Sequence, residues 1–268
     1  MRRALKVLAL LMGLLMPGAA HAGPYEDASA AYWQGDFAQA AKWFRVAADQ
    51  GHADAQNSLG NMYEHGQGVP QDYVQAAKWY RLAADQGDAY AQSNLGAMYL
   101  RGNGVPKDYV QAVKWFRLAA DQGVADAQNS LGVMYFRGEG VPKDYVQAVK
   151  WYRLAADQGN ALAQSNLGLM YGKGRGVPQD YVQAVKWYRL AADQGDAWAQ
   201  LALGSMYELG WGVPQDYVEA HKWFNLSAAR ASADEKDVRG LAVKNRDILA
   251  GKMTPAQIAE AQKRASAW

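Results

Sequence analysis

Residues 53–88 read ADAQNSLGNMYEHGQGVPQDYVQAAKWYRLAADQGD, and nearly the same line is written four more times, over 89–124, 125–160, 161–196 and 197–232. Trp79, Trp115, Trp151, Trp187 and Trp223 recur at a spacing of 36 residues, as do Pro70, Pro106, Pro142, Pro178 and Pro214. A fixed period of this length marks a stacked array of small supersecondary units. The five repeats span 53–232. A shorter relative of the same line, 23–52, precedes them, and 233–268 follows once the pattern decays.

Each repeat predicts two helices. Helix A opens near Ala53 and sets Ala55, Leu59, Met62 and Tyr63 on one side. Gly66-Gln67-Gly68-Val69-Pro70 ends it, because glycine tolerates unusual backbone angles and proline cannot continue a helix. Asp72 is placed to cap helix B, with Gln75 as its capping-box partner. Helix B carries Tyr73, Ala76, Trp79, Tyr80, Ala83 and Ala84 at helical spacing, and Gly87 follows where a left-handed C-cap is usual. One such pair cannot bury its own apolar faces, whereas stacked neighbours can. Gly60, Gly96, Gly132, Gly168 and Gly204 lie inside helix A, where glycine costs about 1 kcal/mol relative to alanine. A repeated small-residue position predicts another helix lying very close.

The lines A-x-A-Q-x-x-L-G-x-M-Y, G-x-G-V-P-x-D-Y and A-x-K-W-Y-R-L-A-A-D-Q-G, as in Ala53 to Gly87, resemble the Sel1-like repeat family, relatives of the tetratricopeptide repeats. The resemblance implies an all-α fold, a right-handed α-solenoid of stacked helix pairs, and a role in recognising a protein or peptide. Pro24 to His52 resembles an opening unit in which Gly35-Asp36 replaces the long loop. Beyond the repeats, Asp234 to Leu249 predicts a helix closed by Gly251. Thr254-Pro255-Ala256-Gln257 predicts the start of another, with Ile258, Ala261, Ala265 and Trp268 on one face. These two helices are expected to cap the array, as terminal units must.

Where copies differ, an external contact is the expected reason, since packing positions must stay alike. Four positions of helix A diverge: the second (Asp54, Tyr90, Asp126, Leu162, Trp198), the ninth (Asn61, Ala97, Val133, Leu169, Ser205), the twelfth (Glu64, Leu100, Phe136, Gly172, Glu208) and the thirteenth (His65, Arg101, Arg137, Lys173, Leu209). They fall within about 100° of one another, opposite the Leu59 stripe. The fifth and sixth positions join them as Asn57-Ser58, Ser93-Asn94, Asn129-Ser130 and Ser165-Asn166. In the tetratricopeptide relatives helix A lines the concave side, so the resemblance makes this face a groove. Its expected partner-binding residues are Tyr90, Asn94, Leu100, Asn129, Phe136, Leu162, Asn166, Leu169 and Trp198. The asparagines would hydrogen-bond an extended peptide and the apolar residues would seat anchors. Helix B repeats its exposed Gln75, Lys78 and Arg81 almost verbatim, and Arg81 with Asp85 reads as an exposed helix pair.

The first residues read as an address. Met1-Arg2-Arg3 is basic, Ala4 to Met16 is mostly apolar, and Ala20-His21-Ala22 is a small-x-small site. That order predicts a secretory signal, 1–22, cleaved to leave Gly23, and a periplasmic or secreted protein. Without Arg2, Arg3 and Lys6 the chain carries 25 basic against 26 acidic residues, which gives no electrostatic footprint for nucleic acid. No second apolar run of spanning length is present, and the chain has no cysteine.

Beyond the expected signal the supply of catalytic groups is thin: His52, His65 and His221 at unrelated repeat positions, and one threonine, Thr254. No metal-ligand motif occurs, and the Gly-x-Gly loops join helices rather than cradling a phosphate. Some Sel1-like proteins have been labelled β-lactamases, but neither Ser-x-x-Lys nor Lys-Thr-Gly is present. The expectation is therefore an exported adaptor with no cofactor, metal or nucleic-acid partner, and not an enzyme. An envelope scaffold and a secreted factor aimed at a host protein are the alternatives.

Overall fold

A computed structural model describes residues 23–268, and the expected signal, 1–22, lies outside the described residues. Its elements there are fourteen α-helices. They fall into two compact units, divided between Lys107 and Asp108. The first holds α1 (Pro24–Trp33), α2 (Phe37–Asp49), α3 (Ala53–His65), α4 (Tyr73–Asp85) and α5 (Ala89–Arg101). The second holds α6 (Tyr109–Asp121), α7 (Ala125–Arg137), α8 (Tyr145–Asp157), α9 (Ala161–Lys173), α10 (Tyr181–Asp193) and α11 (Ala197–Leu209). It ends with α12 (Tyr217–Arg230), α13 (Lys236–Ala250) and α14 (Pro255–Ser266). Within each unit a helix packs chiefly on those before and after it. The 36-residue period thus becomes a series of helix A–helix B pairs.

Local chemistry sets the helix ends. Asp72 accepts from the N–H groups of Val74 and Gln75 at 2.9 and 3.0 Å, and Asp144 and Asp216 cap α8 and α12 alike. The complete reciprocal box occurs at Thr254 and Gln257, where α14 begins with Pro255. Gly66 closes α3 in the left-handed region at φ 68°. Gly68 is needed for a second reason: a Cβ there would lie 2.0 Å from the Phe37 carbonyl oxygen of the preceding pair.

The core is built from Leu59, Met62, Trp79 and Tyr80 and their counterparts, each almost wholly buried. Side chains of this size stabilise by about 1.5–3 kcal/mol apiece when removed from water. The glycine of helix A meets the aromatic ring of its own helix B in every case described: Gly60 with Tyr80, Gly132 with Tyr152, Gly168 with Tyr188 and Gly204 with Phe224.

Two polar ladders join successive pairs. Gln56, Gln92, Gln128, Gln164 and Gln200 are buried, and each donates its Nε2 to the carbonyl of the alanine eight residues earlier, at 3.0–3.2 Å. The closing glutamines Gln86, Gln158 and Gln194 donate to Gln56, Gln128 and Gln164 in turn. The repeated arginines face the next pair of helices, whereas the sequence predicts an exposed pairing of Arg81 with Asp85 on one helix. Arg45, Arg81, Arg117, Arg153 and Arg189 each donate to the hydroxyl of a tyrosine eighteen residues on: Tyr63, Tyr99, Tyr135, Tyr171 and Tyr207. Their verbatim recurrence is therefore a demand of inter-repeat packing.

At the C-terminal end α13 and α14 pack on α12, and α13 also reaches α11. α13 runs two residues later at its start than the sequence predicts. Ser232 and Glu235 close a local turn in front of it. Trp268 lies edge-on to Trp223 at 6.0 Å with the Arg230 guanidinium above it at 4.8 Å.

Candidate partner-binding face

In the first unit, the expected residues lie in different environments. Tyr90 is 68% exposed, while Asn94 and Leu100 are half-buried. Asn94 Nδ2 donates to Asn57 Oδ1 at 3.1 Å, so these amides are bonded to each other across successive pairs. Beside them lies a cavity of about 310 Å³ bounded by Asn57, Asn61 and Asn94 on one side and Tyr32 and Trp33 on the other. Trp33, at 85% exposure, was not among the expected residues, because the opening unit has no counterpart copies with which to compare it.

The second unit repeats the amide pairing: Asn166 Nδ2 donates to Asn129 Oδ1 at 3.0 Å. The alternation of Asn-Ser with Ser-Asn thus has a structural cause, since a fifth-position asparagine meets a sixth-position asparagine 37 residues later. Ser165 is buried. The row expected to grip a peptide backbone spends part of its hydrogen-bonding capacity on its own repeats.

The apolar members separate into two groups. Phe136 and Leu169 are half-buried and pack on the core, Phe136 against Tyr145 with ring centres 5.5 Å apart. Leu162 and Trp198 remain 60% and 42% exposed. Trp198 and Leu169 border a cavity of about 230 Å³, walled also by Tyr181, Leu201, Met206 and Trp211. Gly172 and Leu241 of α13 also line it. Tyr188 also lines it, and burial pushes that hydroxyl well above the usual tyrosine range, so it stays protonated. Lys173 is the one charged residue of the lining.

Of these, Trp211, Tyr181, Leu201 and Leu241 were not anticipated. Trp211 carried a usable signal: it is the variable residue of the Gly-x-Gly loop, which elsewhere reads Gln67, Asn103, Glu139 and Arg175. Leu241 carried none, because it lies beyond the periodic region. Among the described residues no group of three or more His, Asp or Glu is placed to hold a metal. No helix there is long and apolar enough to cross a membrane.

Paired helices closed by Gly-x-Gly loops, stacked at a 36-residue period with a divergent helix A face, define an all-α repeat protein of the Sel1 solenoid class. The Sel1 repeat profile matches residues 29–52, 53–88, 89–124, 125–160, 161–196 and 199–232, and the chain belongs to the Sel1 repeat family. It is similar to a protective antigen of uropathogenic Escherichia coli that displays an SLR fold, with 43% identity over 91% of this chain and a TM-score of 0.75. The chain spans 52% of that protein's length. A Sel1 repeat protein from Oxalobacter formigenes is 37% identical over 80% of this chain and 88% of its own, with a TM-score of 0.72. No curated protein matches the chain. Sel1 repeat proteins generally act in protein–protein interaction, and their solenoid is typically non-catalytic.

Proposed function

We propose that this chain is an exported adaptor that captures a protein or peptide on its helix A face, with no catalytic role of its own. The observation that carries the reading is the pair of exposed tryptophans, Trp198 and Trp211, lining an apolar cavity, with Leu162 exposed at the position equivalent to Trp198 one repeat earlier; at all three positions the other repeats carry different residues. Exposed aromatics of this kind mark interaction sites, and tryptophan is among the residues that dominate binding energy. Export is supported by the basic, apolar, small-x-small order of Met1 to Ala22, and by the likeness to a protein described as a protective antigen.

Crosslinking and affinity capture with the intact protein from its native envelope tests the binding reading. Replacing Leu162 and Trp198 with Asp is expected to weaken capture more than tenfold, about 1.4 kcal/mol. Lys114→Asp with Lys150→Asp on helix B is expected to leave it near normal. The reverse pattern would transfer the working surface to helix B. Export is tested separately: the protein isolated from its host is expected to begin at Gly23, and intact Met1 would refute that part.

A further inference from the structure

The third and fourth repeats treat the same place in two different ways. In the third, the twelfth position of helix A is Phe136, whose ring packs on Tyr145 at 5.5 Å. Arg175, from the next Gly-x-Gly loop, lies over both rings at 5.6 Å. In the fourth repeat, that aromatic position is Gly172 and the counterpart of Tyr145 is Tyr181. Trp211, from the next loop, takes the place of Arg175 and stacks on Tyr181 at 5.0 Å and 18°. The contact between the tyrosine and the loop residue is therefore retained, and the third side chain, which in the third repeat packs beside both, is removed. Glycine at this position is not forced by crowding: a Cβ there would stand 3.7 Å from Ala184 and Met206, an ordinary contact. The first and fifth repeats also use the position, Glu64 accepting from Tyr80 at 2.7 Å and Glu208 pairing with Lys252 at 3.2 Å.

We propose that the Gly172 cavity receives an aromatic side chain of the partner protein, packed against Tyr181, Trp198 and Trp211 as Phe136 packs on Tyr145 within the chain, with a neighbouring carboxylate of the partner on Lys173. The proposal rests on the partner-binding reading of this face. The volume suits it, since apolar cavities of about 150 Å³ already admit a benzene ring and this one is about 230 Å³. Offset or tilted aromatic contacts stabilise beyond the area they bury. Charge selects the flanking residue: Lys173 is exposed and no carboxylate lines the cavity, so an acidic neighbour is favoured and a basic one repelled.

The test uses the whole chain and a defined probe, acetyl-Asp-Phe-Asp-amide, titrated by NMR against acetyl-Asp-Ala-Asp-amide. The phenylalanine probe is expected to shift the indole signals of Trp198 and Trp211 and the methyl signal of Met206, with at least tenfold higher affinity than the alanine probe. Gly172→Phe, which restores the arrangement of the third repeat, is expected to abolish those shifts while the protein melts normally. Should that variant not fold, Gly172→Leu, which carries the residue type of Leu100, blocks the same space. Equal affinity for the two probes would overturn the proposal. So would shifts confined to the cavity beside Trp33, or undiminished binding by a folded blocking variant. Because the probe is added to purified protein, such a failure is separate from that of partner capture, which the Leu162 and Trp198 variants report.

Discussion

A Cβ on Gly132 would lie 2.6 Å from Cδ1 of Tyr152, closer than such atoms approach in folded proteins. Tyr152 is buried and cannot swing into solvent, so the ring must be displaced if anything larger than hydrogen is attached. Gly132→Leu is expected to destabilise the chain by about 3 kcal/mol or more through overpacking. Urea unfolding followed by helical circular dichroism measures it. An unchanged midpoint would mean that the crossing of α7 and α8 is looser than the distance implies.

Gly172 provides the contrast within the next repeat. A Cβ there would make only ordinary contacts, at 3.7 Å from Ala184 and Met206, and glycine inside a helix is less stable than alanine by about 0.5–1 kcal/mol. Gly172→Ala is expected to raise stability by that amount, with a higher melting temperature. A loss of stability would show that the cavity lining there is already in close contact. The opposite signs expected at Gly132 and Gly172 test the packing directly.

The amide pair Asn57–Asn94 spans successive repeats at 3.1 Å. Asn94→Ala is expected to cost about 0.5–1.5 kcal/mol, the usual net value of such a bond. A cycle with Asn57→Ala isolates the coupling, and the double variant is expected to lose less than the two single losses combined. Strict additivity by denaturant titration would mean that the pair contributes nothing across the repeats.

His221 gives a pH dependence. It is buried on α12 where earlier repeats carry Val113, Val149 and Val185, and its Nδ1 faces Asn225 at 3.3 Å. Burial lowers its pKa, Arg246 lowers it further, and Asp247 acts the other way. The folded state therefore binds this proton less readily than the unfolded chain, whose value is 6.5. The associated stability is complete above that pH and is lost as the pH falls below it towards the depressed folded value. Asp88 and Asp196, whose pKa values burial raises, act with the opposite sign in the more acidic carboxylate range. Unfolding midpoints at about pH 7.5 and about pH 5.5 are expected to differ, and His221→Val is expected to reduce the difference. An identical difference in the variant would assign the dependence to other groups.

The residues expected to bind lie at positions that differ between copies, and divergence has more than one physical source. Phe136 diverges and is half-buried against Tyr145, so a charge there would disturb the fold as well as any partner. Leu162 diverges and is largely in solvent, so it is the cleaner probe of binding. Asn94 and Asn166 alternate in register because they meet Asn57 and Asn129, a contact no single repeat can reveal.

By itself, the sequence determined what local rules govern. The 36-residue period, the helix pairs, the Asp caps, the Gly66 stop and the tight glycine of helix A all follow from residues within a few turns of one another. There, backbone preference and apolar spacing suffice. Tertiary structure alone decided which divergent side chains are buried, which bond to another repeat, and where space remains. The cavity at Gly172 is bounded by residues as distant along the chain as Leu169 and Leu241. Its existence depends on how α9, α10, α11 and α13 pack, because an absent side chain leaves a cavity only when the walls around it are held in place by other contacts.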